Sequence, residues 1–415
     1  MILLSHPTAN QNVRQTAIAL AEAALLAEFW TCVSWQRGGM LDRALGFSER
    51  LRSELRRRSF PPELSPFIRT VPWREWGRQL AGQFGWNSLT KSETGRFSID
   101  AVYSSLDRHV ARRLTNSSGI KAVYAYDGGA LETFRVAKAR GLTCIYEHPI
   151  IYWRKVGELQ REEAQLHPEW APTLGALGDS AEKLARKDEE LALADLVVTP
   201  SSFSRASLVD APCVSAPIRV LPYGTRSLGE NFTPKTPNEK LRVLFVGTLS
   251  QAKGLGYLLD AVSRLGTSVE FTLIGRRVSN AIPAPDVLEK YRWIPSLAHD
   301  ELLREMSRHD VLVLPSLHEG FGLVMSEAMS QGLTVITTPN TGGPDLIADG
   351  VEGFIVPIRS TDALEEKLAL LVRDRDRLAA MQQAAREKAA VLTWENYRQG
   401  VAQLAREVME KRPTP

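Results

Sequence analysis

Two glutamates eight positions apart, Glu319 and Glu327, bracket a glycine-rich turn in His318-Glu319-Gly320-Phe321-Gly322-Leu323-Val324-Met325-Ser326-Glu327. An apolar run of strand length, Val311-Leu312-Val313-Leu314, precedes the turn and is closed by Pro315. The stretch Leu323 to Gln331 that follows has helix-like composition and ends at Gly332, a good C-terminal cap. The pattern predicts a strand-to-helix turn at the C-terminal edge of a parallel sheet, where open α/β sheets bind ligands. Glycines there let backbone N–H groups approach an anion, and the helix dipole favours negative charge at that end. Two carboxylates beside an anion site do little for stability. They serve well as acceptors for sugar hydroxyls.

A second glycine turn carries a cation. In Val246-Gly247-Thr248-Leu249-Ser250-Gln251-Ala252-Lys253-Gly254-Leu255, Lys253 falls just before a helical pattern. By itself it reads equally as a phosphate ligand or as a solvated lysine at a helix start. Thr341-Gly342-Gly343-Pro344-Asp345 and Asp349-Gly350-Val351-Glu352-Gly353-Phe354-Ile355-Val356 follow in the chain.

Taken in order, these stretches resemble the retaining family 4 glycosyltransferases of the Glu-x7-Glu type. The resemblance is dense from about Leu241 to Trp394 and looser before it. It implies an α/β protein of GT-B architecture: two Rossmann-like, doubly wound domains facing across a cleft, with a C-terminal helix that crosses back to the first. On that reading residues 1–224 form the acceptor-side domain, 225–240 a linker and 241–394 the nucleotide-sugar domain. Residues 395–415 supply the returning helix. The implied reaction moves a sugar from a nucleoside diphosphate sugar to the hydroxyl of a glycan, lipid-linked or small-molecule acceptor. Configuration would be retained, and neither metal nor cofactor would take part.

The resemblance also assigns roles. Negative charge grows on the leaving diphosphate, and Lys253 with the turn at Gly247 and Thr248 would stabilise it. Glu319 would bond hydroxyls of the transferred sugar, with the N–H groups of Gly320, Phe321, Gly322 and Leu323 facing sugar and phosphate. Glu327 would take the ribose hydroxyls, against the plainer reading of a glutamate on a helix surface. The base would sit near Ile294 in Trp293-Ile294-Pro295, which reads otherwise as an apolar strand end. Where many relatives have arginine five residues before the lysine, this chain has Thr248; Arg276 or Arg277 would compensate, or serve the surface. In the first half, His148 after the strand Thr143–Tyr146 is the catalytic candidate beside Lys253 and Glu319. On the acceptor side stand His6, Asn10 and Asp127. Asp127-Gly128-Gly129 reads equally as a plain turn, and the loop holding His6 and Asn10 lacks the glycine pair that relatives often use.

The elements that must position these groups alternate strand-length apolar runs with helical patterns, which argues for parallel sheets covered on both faces. Expected strands are Ile2–Ser5, Phe29–Ser34, Ala122–Tyr126, Thr143–Tyr146, Leu196–Thr199 and Arg219–Leu221. The second half adds Arg242–Gly247, Val269–Ile274, Val311–Pro315, Thr334–Thr337 and Gly353–Val356. Helices are expected at Leu255–Leu265, His299–Ser307 and Leu323–Gln331, with a helical region over Thr361–Leu392. Two prolines and many polar residues mark Thr225–Lys240 as the linker. Arg154 to Lys187 reads as a polar, irregular insertion. Trp394 to Arg412 reads as an amphipathic helix with Tyr397, Val401, Leu404 and Val408 on one stripe.

Gross numbers fit two domains. A chain of 415 residues exceeds one ordinary core. The net charge of +3 is too small to argue for a nucleic-acid partner. Cys32, Cys144 and Cys213 are few, odd in number and far apart, which suits a reducing cytosol and offers no metal-ligand spacing. A strand at Ile2 leaves no room for a leader, and no apolar run reaches the ~18–20 residues of a membrane span. The expectation is a cytoplasmic protein, with attachment to the inner face of the membrane left open. That option rests on Arg43 to Arg78, nine arginines against four acids, with Trp73, Trp76 and Trp86 at or beyond its end. The same stretch would also suit an acidic acceptor or a covered surface helix. Asp374-Arg375-Asp376 has the Asp-x-Asp form that metal-dependent transferases use, but in its charged surroundings it reads as a solvated helix face. Two other readings of the whole remain: an isomerase or hydrolase of sugar nucleotides, and a non-catalytic sugar-nucleotide-binding homologue. Thr248 and the glycine-poor first loop favour the latter.

Overall fold

The computed structural model describes residues 1–35, 58–209, 211–225, 239–278 and 289–410. The interior of the expected linker and residues 43–57 of the arginine-rich stretch lie outside the described residues. Seven parallel strands form the first sheet: β1 Ile2–Ser5, β2 Leu26–Thr31, β3 Ile68–Thr70, β4 Ala122–Tyr126, β5 Thr143–Glu147, β6 Leu196–Thr199 and β7 Ile218–Val220, in the order β3-β2-β1-β4-β5-β6-β7. Six more form the second: β8 Leu241–Val246, β9 Val269–Ile274, β10 Arg292–Ile294, β11 Val311–Leu314, β12 Thr334–Thr337 and β13 Gly353–Ile355, in the order β10-β9-β8-β11-β12-β13. Every pairing is parallel. The central strands β1, β4, β6, β11 and β12 are buried at every residue, which is why they read as unbroken apolar runs.

Departures from the expected elements have local causes. The strand expected at Phe29–Ser34 starts earlier, at Leu26, because the preceding helix Gln11–Glu22 ends well before it. The strand β3 went unread and β10 was read only as a strand end at Trp293-Ile294: each has three residues, lies at a sheet edge and is buried at none of them. The helical region Thr361–Leu392 is two helices, Thr361–Arg373 and Arg375–Val391, broken at Asp374. Asp374 caps the second, accepting from the Arg377 N–H at 2.9 Å. That cap explains the first acid of the Asp-x-Asp sequence without a metal.

The domains are joined by more than covalent links. The helix Trp394–Glu410 packs on Gln11–Glu22 of the first domain, where Tyr397 OH and Thr16 Oγ1 lie 2.9 Å apart and Arg398 donates to Gln15 Oε1 at 2.9 Å. One apolar cluster runs from Leu4 and Phe29 through Tyr223 to Phe321, Met325 and Trp394. The insertion read as irregular is largely helical, with Trp153–Leu166, two 3-10 turns and Ala181–Leu193. It reaches into the second domain. Trp170 joins the core beside Leu255 and Tyr257. Glu163, fully buried, accepts from Gln251 Nε2 at 2.7 Å, Tyr257 OH at 2.8 Å and Arg359 Nε at 2.6 Å. A carboxylate without solvent persists only with such paired donors. Because those donors come from the other domain, local sequence could not reveal its role. Glu163→Ala strands a guanidinium, an amide and a phenol, so urea unfolding is expected to show a loss of about 3 kcal/mol. An unchanged midpoint would mean that the clamp adds nothing.

Candidate active site

The second domain supplies two strand-to-helix turns side by side. After β8 the chain passes through Gly247 and Thr248 to the short turn Gln251–Lys253, then through Gly254 into the helix Leu255–Leu265. Gly254 has φ +68, and a Cβ there would lie 2.1 Å from the Pro315 carbonyl oxygen. This close approach presses the lysine turn against the end of β11, from which Glu319 follows. Lys253 Nζ and the Glu319 carboxylate are in direct contact, with side chains 23% and 24% exposed. The two groups singled out on opposite turns thus touch. Burial pulls the Lys253 ammonium down to about 8. His318 lies behind them and is pushed down to about 4, by burial first and by Lys253 second, so it stays neutral. Its Nε2 therefore accepts from the Gln160 amide of the insertion at 3.0 Å.

The Glu319 turn is where the first domain docks. A Cβ on Gly320 would lie 2.0 Å from the Pro149 carbonyl oxygen, so only glycine permits this approach. Ser201 Oγ donates to the Gly320 carbonyl at 2.5 Å. Asp345 accepts from Ser202 N–H at 2.9 Å and from its hydroxyl at 3.0 Å. Phe321 turns away from the turn and meets Tyr223 edge to face at 5.4 Å between centroids. Gly322 and Leu323 lead into the helix Leu323–Ser330, which carries Glu327. Glu327 Oε1 lies 3.8 Å from His299 Nδ1, and its side chain is 20% exposed.

Adjacent to Pro149, His148 is buried at the end of β5 and stacks on Tyr146. Its Nδ1 lies 3.4 Å from Asp127 Oδ1. Asp127 is also approached by Tyr146 OH at 2.9 Å and by Lys187 Nζ at 3.7 Å. Burial alone would raise the Asp127 carboxyl, but His148, Lys187 and Tyr146 outweigh it and hold the group well below the carboxylate range. Tyr146 OH also lies 3.0 Å from buried Glu190. Glu190 also accepts from Gly128 N–H at 2.8 Å and Ala130 N–H at 3.2 Å. Burial first and Asp127 second push it up to about 7. Asp127 thus lies among His148, Tyr146 and Lys187 as well as in its turn.

Other candidates stand apart from this cluster. His6 is buried, edge-on to Tyr126 and Tyr103, and Thr8 N–H donates to its Nδ1 at 3.0 Å. Burial lowers it to about 4, so it is a neutral ring tied into its own loop. Asn10 is exposed at the start of Gln11–Glu22 and makes no side-chain cap bond. Thr248 is exposed. Beside it the chain after β9 returns, with Leu249 N–H donating to the Arg276 carbonyl at 2.9 Å, so exposed Arg276 lies next to Thr248. Arg277 lies over the Trp293 ring at 4.6 Å, which gives it a packing role instead. Half-buried Ile294 uses its carbonyl to accept from Gly275 N–H at 2.9 Å. Sequence reasoning missed Gln160, Glu163, Ser201 and Arg359, all contacts between domains. Among the described residues no group of three or more His, Cys, Asp or Glu is placed to hold a metal.

Whole-chain likenesses identify the arrangement as GT-B. Sucrose-phosphate synthase from Thermosynechococcus elongatus matches with a TM-score of 0.67 at 19% identity, covering 98% of each chain. HepE from Anabaena, in complex with UDP and glucose, matches with a TM-score of 0.61 at 14% identity, covering 98% of this chain and 99% of that one. In sequence, residues 230–388 match the family described as Glycosyl transferases group 1. The amylovoran biosynthesis glycosyltransferase AmsK of Erwinia amylovora is 28% identical over 211 residues, 47% of this chain and 51% of that protein. The sulfoquinovosyl transferase SQD2 of Arabidopsis thaliana is 30% identical over 223 residues, 48% of this chain and 42% of that protein. The chain spans about half or less of the length of the relatives it matches in sequence.

The lowered lysine gives a pH test. Below about pH 8 the Lys253 ammonium is already charged when an anion arrives; above it, binding must take up a proton. Calorimetric affinity for a nucleoside diphosphate should be level near pH 7 and fall about tenfold per unit above pH 8. A level profile to pH 9.5 would show that this charge is not used.

Proposed function

We propose that this chain is a retaining glycosyltransferase that moves a sugar from a nucleoside diphosphate sugar to an acceptor hydroxyl without a divalent ion. The observation that carries the reading is the contact of Lys253 with Glu319 where the two domains meet. A cation suited to a β-phosphate and a carboxylate suited to sugar hydroxyls lie side by side, as neighbouring phosphate and sugar of one donor would need. The family match over the second domain and the UDP complex of a GT-B neighbour support it.

In this reading Lys253 takes the growing charge on the leaving phosphate. Glu319 exchanges its lysine partner for hydroxyls of the transferred sugar, and Glu327 binds the ribose. His148, oriented by Asp127, faces the sugar from the first domain. Arg276 supplies the second cation that Thr248 cannot. Retention follows a front-face course in which the leaving phosphate oxygen accepts the proton of the acceptor hydroxyl as that hydroxyl bonds to the anomeric carbon. The sugar–phosphate bond breaks as the new glycosidic bond forms.

Removing an interaction made mainly in the transition state lowers turnover, and removing uniform binding raises KM. Glu319→Ala should lower kcat about a hundredfold with little change in donor KM. Glu327→Ala should raise donor KM about tenfold. Both are read as nucleoside diphosphate release with and without glycan acceptors. A full rate in Glu319→Ala would refute the sugar contact, and release indifferent to every acceptor would instead indicate a hydrolase or isomerase.

A further inference from the structure

On the first domain, away from the Lys253–Glu319 pair, the fold leaves one surface bare. The helix Trp73–Gln83 follows β3 and sets Trp73, Leu80 and, just past its end, Phe84 on one stripe. The chain then reverses so that Trp86 stacks on Phe84, with ring centroids 5.1 Å apart. Trp73, Leu80, Phe84 and Trp86 are 45%, 49%, 64% and 53% exposed. Residues 82–88 are exposed without a break, so the stacked pair tops a projection. Scattered apolar side chains on a surface are ordinary, whereas four grouped on one short projecting segment mark a contact face.

Charge surrounds this patch. The Arg74 guanidinium lies 4.4 Å from the Trp73 ring centroid and donates to the Arg96 carbonyl. It is held below its ordinary value by burial and then by Arg108 and Arg96, so three guanidiniums crowd together. The nearby acids are already engaged. Glu75 pairs with Arg58 at 2.7 Å and Arg78 at 2.7 Å, Glu93 accepts from Ser180 N–H at 3.0 Å, and Asp100 pairs with Lys183 at 3.2 Å. Among the described residues none of Arg74, Lys91, Arg96 and Arg108 has a carboxylate within ion-pair distance. A soluble polyanion would match the arginines but not the bare aromatic rings. An apolar protein partner would match the rings but not the crowded arginines.

We infer that this face docks on an anionic lipid bilayer, with Trp73, Leu80, Phe84 and Trp86 at the head-group boundary and Arg74, Lys91, Arg96 and Arg108 against lipid phosphates. Tryptophan and phenylalanine favour that boundary, and clustered basic residues favour a negatively charged leaflet. No helix among the described residues is long and apolar enough to cross a membrane. The helix starts at the C-terminal end of β3, the same edge of the sheet from which His6 and His148 project. An acceptor carried in the bilayer would thus meet the acceptor half of the cleft. The docking itself does not depend on the transfer reaction.

The test is flotation of the full chain with vesicles at 0.15 M NaCl, which reads no catalysis. Phosphatidylglycerol–phosphatidylcholine vesicles should carry the protein at least tenfold more than pure phosphatidylcholine vesicles, and 0.5 M NaCl should release most of it. Phe84→Ser with Trp86→Ser, and separately Arg96→Ser with Arg108→Ser, should each cut the bound fraction at least fivefold. Both pairs sit on exposed side chains, and unchanged melting temperatures would confirm intact folds. Absence of wild-type protein from the anionic vesicles would overturn the inference. Wild-type binding by the Phe84/Trp86 variant would overturn it too. So would retention on dextran sulfate beads without vesicle binding, which would make the partner a soluble polyanion.

Discussion

A lysine and a glutamate 66 residues apart meet where the two domains join, and the rest of the arrangement depends on that contact. Each side chain is about three-quarters buried, so the pair gives up much hydration for one Coulombic partner. Such a pair is poorly suited to be a structural brace, because an apolar pair of the same volume would avoid the desolvation. It is well suited to exchange. A diphosphate offers the ammonium more charge than one carboxylate, and sugar hydroxyls offer the carboxylate the donors it loses. In the proposed function, the burial that lowers Lys253 to about 8 belongs to a cation that takes up an anion.

Holding the pair in place requires both domains. Gly254 brings the lysine turn onto Pro315, and Gly320 brings the glutamate turn onto Pro149 of the first domain. The insertion then fixes both from one side, Gln160 through His318 and Glu163 through Gln251, two residues before Lys253. Arg359, held at φ +61 where an arginine is rarely found, completes the Glu163 clamp. Backbone strain of that kind persists where the surroundings over-determine it, and a fully buried carboxylate does so here. Domain opening would have to release these bonds together.

Legibility in the sequence followed how local each cause is. The strands β1, β4, β6 and β12 read true to the residue because burial on both faces leaves each a mainly apolar run. Helix Leu255–Leu265 read as well, from its strong apolar stripe. Lys253 and Glu319 were legible because their turns carry glycines in a recognisable order, and the structure brings them together. Asp127 read as either a turn or an acceptor-side group because its partners, Tyr146, His148 and Lys187, are distant in the chain. The insertion looked irregular because its partners are in the other domain, so its polar residues had no visible purpose. Arg276 and Arg277 could not be separated by type or spacing, and only the position of Trp293 assigns one of them to packing.

The most direct measurement is a crystal structure with an intact, non-transferable nucleoside diphosphate sugar bound. The account predicts Lys253 Nζ on a phosphate oxygen and the Glu319 carboxylate on a sugar hydroxyl, the two no longer touching. A diphosphate bound elsewhere, with Lys253 still against Glu319, would contradict it.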